Sequence, residues 1–482
     1  MLPLSTTARF PFAVASSTQG TQQAALLAIL STCLGTAMAI HLLPQNPSRD
    51  GALFASAVAL CTGLAVAPIK ALLHHPKAIL RGEHLLSIAP IYWLLLDLIQ
   101  GLYSMEMIER VQIQRAFVAI GLFVVMVWVG ALRRPWPIPA IVIKAASQEF
   151  SLTSYFGLAV VSFSLGMLNF AVACNFNVAE MFYYVGQERW AAPWGRGQLG
   201  GWDAFLDHLQ YFGYLLPVLT IVVQRYAGWL NMRTIICVAM SAVMILFLAQ
   251  SGSRRVIGVV IGMALILWIL GQQRLRIKHV IQTTVAIAAL LLALQVMLEY
   301  RNVGLGTLLG FRTEASHTAS YREHFFREQH LRVDDNFFRL CQVIQLIPSS
   351  HPFVYHQYIL YVLVRPIPRV FWADKPIDPG FDLPTALGVE GVSYSYSVIG
   401  ELYMSFGFIG IAFGGWFYGR LSAMARGMLS RTHTLSGLVM YSILVMALFS
   451  GMRSILELIL VSYVILAWIG LSKLFRLIGA AR

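Results

Sequence analysis

Arginine is the residue type in this chain whose placement first suggests chemistry. Arg254 and Arg255 open an apolar run after Ser251-Gly252-Ser253, and Arg301 closes the next run. Arg365 and Arg369 flank Pro366-Ile367-Pro368, Lys375 follows, and Arg453 separates the last two apolar runs. A guanidinium offers a planar fork that grips phosphate oxygens bidentately and stays charged at any relevant pH. Gathered at the ends of apolar segments, these cations are expected to hold an anionic ligand, and a pyrophosphate suits their number. The competing reading has each one snorkelling to headgroups or pairing with Glu299, Asp374 or Glu390.

Carboxylates and imidazoles supply the candidates for proton transfer. Glu401 lies just inside an apolar run, between Gly400 and Tyr403, a setting that suits a general base. An internal ion pair with one of the arginines is the alternative role for it. His317, His324, His330, His351 and His356 share one polar stretch without metal-ligand spacing. Asp374, Asp378 and Asp382 recur every four residues, but Pro376, Pro379 and Pro384 break any helix that would stack them. They are read as turn and cap residues. No metal site and no cofactor is expected.

The elements that must position these groups are membrane helices. The 482 residues are 58% hydrophobic and 12% charged, a composition of polytopic membrane proteins rather than soluble domains. The net charge of +13 sits in short clusters between apolar runs, which is a topology signal and not a nucleic-acid footprint. Cys33, Cys61, Cys174, Cys237 and Cys341 are scattered, with neither disulfide nor zinc spacing. About twelve apolar runs are expected to span: 22–43, 51–73, 84–103, 112–132, 154–175, 203–224, 231–250, 254–271, 278–300, 396–419, 433–450 and 452–473. The fold class is therefore all-α, a single polytopic membrane domain over residues 1–482.

Sidedness follows from the basic exits. Lys70, Lys77, Arg81, Arg133, Arg134, Lys144, Arg225, Arg233, Arg274, Arg276, Lys278, Arg420, Arg426 and Arg431 all follow even-numbered helices, so both termini are expected in the cytoplasm. The stretch 301–395 then becomes one large external loop between helices 9 and 10. Such a loop needs structure of its own. Residues 335–347 carry apolar residues at helical spacing, and 353–364 are apolar but too short to span, hence interfacial or re-entrant. Gly410-xxx-Gly414 and Gly415-xxx-Gly419 have the spacing of close helix packing.

Four pieces of the C-terminal half resemble the oligosaccharide repeat-unit polymerases of bacterial surface polysaccharides, the O-antigen polymerase type. They are Ser251-Gly252-Ser253-Arg254-Arg255, Ile367-Pro368-Arg369 with Trp372 and Lys375-Pro376, Gly400-Glu401-Leu402-Tyr403 with Phe406-Gly407 and Gly410, and Arg453 before the last helix. The second arginine, Arg255, stands where the family pattern has a small residue. The resemblance implies a glycosyltransferase of the bacterial inner membrane. It would join oligosaccharide repeats carried on undecaprenyl pyrophosphate at the periplasmic face, among membrane lipids, alongside a flippase and a chain-length regulator. It implies catalytic roles for Glu401, Arg369 and Arg254. Pyrophosphate contacts would come from Arg254, Arg255, Arg301, Arg365, Arg369, Lys375 and Arg453. Sugar contacts would come from Trp372, Tyr394, Tyr396, Tyr403 and His356, with His356 the second candidate for the base.

An O-antigen ligase uses the same donor and is the nearest alternative. A transporter or flippase of lipid-linked oligosaccharide is the alternative of another class, and would show internal repeats and broken helices near the midplane. The arginine reading has a direct test. Arg254→Lys and Arg369→Lys keep the charge but lose the fork, so each should abolish most polymer formation at unchanged membrane abundance. Normal polymer length and amount in both variants would exclude it.

Overall fold

The computed structural model describes residues 18–48, 51–102, 105–194, 203–300, 304, 330, 331, 333–365, 367–376, 378–389, 392–431 and 434–479. It is built from helices: α1 Thr18–His41, α2 Phe54–His74, α3 Gly82–Pro90, α4 Leu96–Ile99, α5 Arg110–Leu132, α6 Ala140–Ala146 and α7 Leu152–Ala173. There follow α8 Val178–Val185, α9 Asp203–Gly213, α10 Leu216–Ala227, α11 Met232–Gln250, α12 Arg254–Leu270 and α13 Ile277–Tyr300. The last six are α14 Asn336–Leu346, α15 His356–Val364, α16 Leu383–Ala386, α17 Ser397–Arg431, α18 Leu435–Ser450 and α19 Ile455–Leu477. Among the described residues, ten helices are long and apolar enough to cross a membrane. This is a multi-pass membrane protein. Each of the twelve expected runs is helical, but α12, with 17 residues, and α18, with 16, are shorter than the other ten.

Three of the expected spans are not simple rods, the run 203–224 being divided into α9 and α10 at residues 214–215. Pro90 lacks an N–H, and the helix continues from α3 into α4 through a wide π turn at Ile91–Leu95. The Trp93 carbonyl, released from the regular ladder there, accepts from Asn336 Nδ2 at 2.9 Å. The run expected over 396–419 is in fact α17, which extends to Arg431 and breaks at Phe406 and Gly407. Gly407 has φ +62° and ψ −147°, a conformation that only glycine adopts without strain. The remaining helix, 408–431, measures about 36 Å at 1.5 Å per residue and crosses a bilayer core of about 30 Å unaided.

The break leaves carbonyls that the membrane cannot satisfy. Val354 N–H donates to the Met404 carbonyl and Tyr355 N–H to that of Ser405, both at 3.0 Å. The stretch expected to be re-entrant or interfacial thus seals the break, with Tyr355 at φ +49°. The two halves of α17 pack against each other. A Cβ on Gly410 would lie 2.3 Å from the Leu402 carbonyl oxygen, and one on Gly414 would lie 2.2 Å from the Leu402 side chain. The first small-residue motif is therefore used within α17. The second docks α17 on α5, the most extensive helix pair.

The described part of the large loop is packed into the helices. Its helix α14 is packed against α5 and α17, with Phe337, Leu340 and Ile344 buried and Phe337 against Phe117 at 5.1 Å between ring centroids. At the other end of α17 the basic exits do more than mark topology. Arg225 donates to the carbonyls of Trp268 and Gly271, and Lys77 to those of Leu270 and Gln272, capping the C-terminus of α12. Arg426 pairs with Glu83, which also accepts from Ser422 Oγ at 2.6 Å.

The α5–α17 seam yields a stability prediction. A Cβ at Gly419 would sit 2.0 Å from the Val127 carbonyl oxygen, whereas Gly470 has open space around it. Gly419→Leu should destabilise the purified protein by about 3 kcal/mol, while Gly470→Ala should leave its thermal transition within a degree or two. Equal transitions for the two variants would show that the seam does not limit stability.

Candidate functional site

Helix termini from distant parts of the chain converge at the N-terminal end of α17. The turn 451–454 between α18 and α19 is held from several sides. Val398 N–H donates to the Met452 carbonyl at 3.0 Å, Tyr418 Oη to that of Gly451 at 2.8 Å, and Ser395 Oγ to that of Arg453 at 3.4 Å. Arg453 is thereby fixed, and its Nε donates to Asp334 Oδ2 at 2.9 Å. Arg254, the first residue of α12, reaches the same acid, with Nη2 at 3.7 Å from Asp334 Oδ1 and 2.5 Å from the Val333 carbonyl oxygen. Arg255 Nη1 lies 2.7 Å from Glu457 Oε1.

Arg254, Arg255 and Arg453, separated by some two hundred residues in sequence, are thus brought together, and each is paired. Their partners are Asp334 and Glu457, neither of which was expected; Glu390 and the side chain of Glu299 lie outside the described residues. The pairing leaves donors over. Arg453 engages only Nε among the described residues, and the Arg255 side chain keeps 36% exposure. Burial alone would lower the pKa of Arg453, but the Asp334 carboxylate outweighs it and holds the guanidinium above the ordinary arginine range.

Glu401 is buried in the first half of α17, and both of its oxygens are engaged. Tyr358 Oη donates to Oε1 at 2.5 Å and Ile455 N–H to Oε2 at 2.6 Å. The second bond satisfies a first-turn amide of α19, the place where a helix favours a carboxylate. Ser454 caps the same helix by accepting from Leu456 N–H at 3.2 Å. Burial, with the Glu401 carboxylate beside it, keeps the Tyr358 phenol well above its usual pKa, so it stays the donor. To take a proton from an acceptor hydroxyl, Glu401 would exchange the Tyr358 bond for that hydroxyl.

The remaining candidates are dispersed. Arg365 follows α15 and donates to Tyr361 Oη, one turn beyond Tyr358. Lys375 Nζ is committed to the carbonyls of Arg365 and Ile367, at 2.7 and 2.6 Å, and so closes the Pro-rich turn. Arg369 is exposed and makes no hydrogen bond or ion pair among the described residues. Trp372 and His356 are exposed too, and Tyr396 is half-buried. Two of the aromatics already have partners. Arg339 lies 3.5 Å from the Tyr394 ring centroid, and Tyr403 is buried against Phe353 and Phe408, its hydroxyl donating to the Ile347 carbonyl. Arg301 lies outside the described residues. Asp378 and Asp382 accept from Gly380 N–H and Thr385 N–H, the turn and cap roles their spacing with proline implied.

Sequence reasoning missed Asp97, Asp334 and Glu457. Asp97 and Glu457 are acids inside apolar runs, a signal that points to function or pairing in a membrane. No family model matches the chain, and no curated protein or solved structure matches it either.

Glu401 and Tyr358 can be separated experimentally. If Glu401 accepts the proton in the chemical step, Glu401→Gln should lower the transfer rate by about 10²–10⁴-fold, while Tyr358→Phe, which removes only a donor, should lower it less than tenfold. A rate assay on purified variants of equal folded fraction reads the difference, and comparable losses in both would assign Glu401 to capping α19 rather than to proton transfer.

Proposed function

We propose that this protein is a membrane glycosyltransferase that polymerises oligosaccharide repeats carried on undecaprenyl pyrophosphate, at the periplasmic face of a bacterial inner membrane. The observation that carries the reading is the convergence of Arg254, Arg255 and Arg453 with buried Glu401 at one end of a bundle of membrane-crossing helices. Intramembrane cations kept at a helix end, with donors to spare, suit a phosphate-bearing lipid better than a neutral solute.

In the proposed reaction an acceptor sugar hydroxyl attacks the anomeric carbon of the donor chain. The bond from that carbon to the pyrophosphate oxygen breaks, and undecaprenyl pyrophosphate leaves with the electron pair. Charge grows on the pyrophosphate in the transition state, so the arginines stabilise it electrostatically and the leaving group needs no proton. The hydroxyl proton passes to Glu401. Arg369, exposed on the Pro-rich turn, is suited to reach the same pyrophosphate from outside, and Trp372 to stack on a sugar ring.

Interrupted helices, at α3–α4, α9–α10 and α17, are the feature on the side of a transporter, and the break in α17 is the one beside the site. It lies about six residues beyond Glu401, with a full membrane-crossing length of helix after it, so it adjoins one surface rather than the midplane. An asymmetric site of this kind favours chemistry at that surface.

The purified protein, given lipid-linked repeats alone, should make polymer on the carrier in the presence of EDTA, because guanidinium groups take the part of a divalent ion. A strict requirement for added metal would return Asp374, Asp378 and Asp382 to consideration. In a deletion strain, lipopolysaccharide carrying single repeats is the expected pattern. Polymer retained on the carrier would indicate a ligase, and accumulation of repeats in the cytoplasm a flippase.

A further inference from the structure

We infer that Asp334 is a positioning residue: one carboxylate that holds Arg254 and Arg453 side by side as a two-guanidinium cradle for a diphosphate. The inference deepens the proposed function and rests on its diphosphate donor. Two guanidinium groups 199 positions apart in sequence repel each other, and without a shared counter-charge each would turn towards its own solvent or headgroup partner. Asp334 gives one oxygen to each, at 2.9 Å to Arg453 and 3.7 Å to Arg254. Arg453 spends only Nε on this bond, which leaves the two terminal nitrogens on the outer edge of its fork for a phosphate.

The segment that carries Asp334 is a strap, fastened at Leu331, Val333 and Asn336 to the end of the α3–α4 helix. Gln100 clamps Leu331 in both directions, donating to its carbonyl at 2.9 Å and accepting from its N–H at 2.8 Å. Asp97, 4% exposed, accepts from the N–H of Val333, the residue before Asp334, at 3.3 Å. Asn336 Nδ2 is tied to the Trp93 carbonyl released by the π turn. A buried acid that accepts from a backbone amide costs desolvation that a surface loop would not need. The strap gives it a use, since it fixes the backbone from which Asp334 reaches both arginines. The neighbouring acid points elsewhere: Asp335 Oδ2 pairs with Arg339 Nε at 2.5 Å.

Charge alone and positioning predict opposite results. Neutralising an acid within an anion site should tighten anion binding if charge alone matters. Positioning predicts that Asp334→Asn binds inorganic pyrophosphate at least tenfold more weakly than the wild-type full chain in detergent, measured by calorimetry. Asp97→Asn should weaken binding in the same direction, Asp334→Glu less than Asp334→Asn, and Asp335→Asn should bind as wild type. Stability supplies a second readout. Asp334→Asn should lower the thermal transition, and Asp334→Asn with Arg254→Gln should recover most of it without recovering pyrophosphate binding. Unchanged or tighter binding by Asp334→Asn would overturn the inference, as would a wild type that binds no pyrophosphate. If binding depends on Asp334 but lipid-linked repeats are not joined, the polymerase reading fails and the cradle stands. If repeats are joined equally well by Asp334→Asn, with the same KM, the cradle fails and the polymerase reading stands.

Discussion

Two backbone hydrogen bonds, from Val354 and Tyr355 to the carbonyls of Met404 and Ser405, make the rest of the site possible. Hydrocarbon offers no partner for an unpaired peptide group, so a membrane helix can break only where protein supplies one. By sealing the break at Phe406–Gly407, the 353–355 segment frees the first half of α17 to lean against the second. That half-helix carries Glu401 to the N-terminus of α19, and the sealing segment brings Tyr358 to the same carboxylate. A straight α17 could not place Leu402 against both Gly410 and Gly414.

Around this bend the polar groups form chains rather than isolated pairs. Gln100 and Asp97 hold the strap, the strap presents Asp334, Asp334 joins Arg254 to Arg453, and Arg453 sits in the turn that Val398 and Tyr418 anchor. Glu457 shows the same economy. Ser454-x-x-Glu457 has the spacing of a capping box, yet the glutamate turns to Arg255 and Glu401 serves the α19 N-terminus instead. Asp334 and Glu457 are paired with arginines, while Asp97 and Glu401 hold backbone amides, so removing any one of them would unsettle a contact between separate segments.

The opposite end of α17 uses charge differently. Glu83, Ser422 and Arg426 make a buried knot between α3 and α17, and Arg426 also donates to the Ala131 carbonyl of α5. With Lys77 and Arg225 on the last carbonyls of α12, the basic residues there act as helix caps and clamps. The basic residues between apolar runs thus serve as caps, because cations favour helix C-termini.

Hydrophobic length by itself determined the all-α membrane class and the place of the apolar runs, of which ten rather than twelve are long enough to cross among the described residues, since about twenty apolar residues are legible without any partner. The helix at 336–346 was legible through its 3.6-residue spacing, and the turn roles of Asp378 and Asp382 through the prolines around them. Arg254, Arg255 and Arg453 were legible together, because each stands beside the N-terminus of an apolar helix, where the helix dipole does not favour a cation. Only the tertiary structure decided their partners. Asp334 belongs to a loop, and nothing local distinguishes it from Asp335, one residue away and aimed at Arg339. The break in α17 was equally hidden, because Gly407 reads as one more small residue until another segment's amides arrive to seal the helix. Spacing along the chain reports what a residue can do; which residue meets it depends on contacts hundreds of positions distant, and these exist only once the helices have packed.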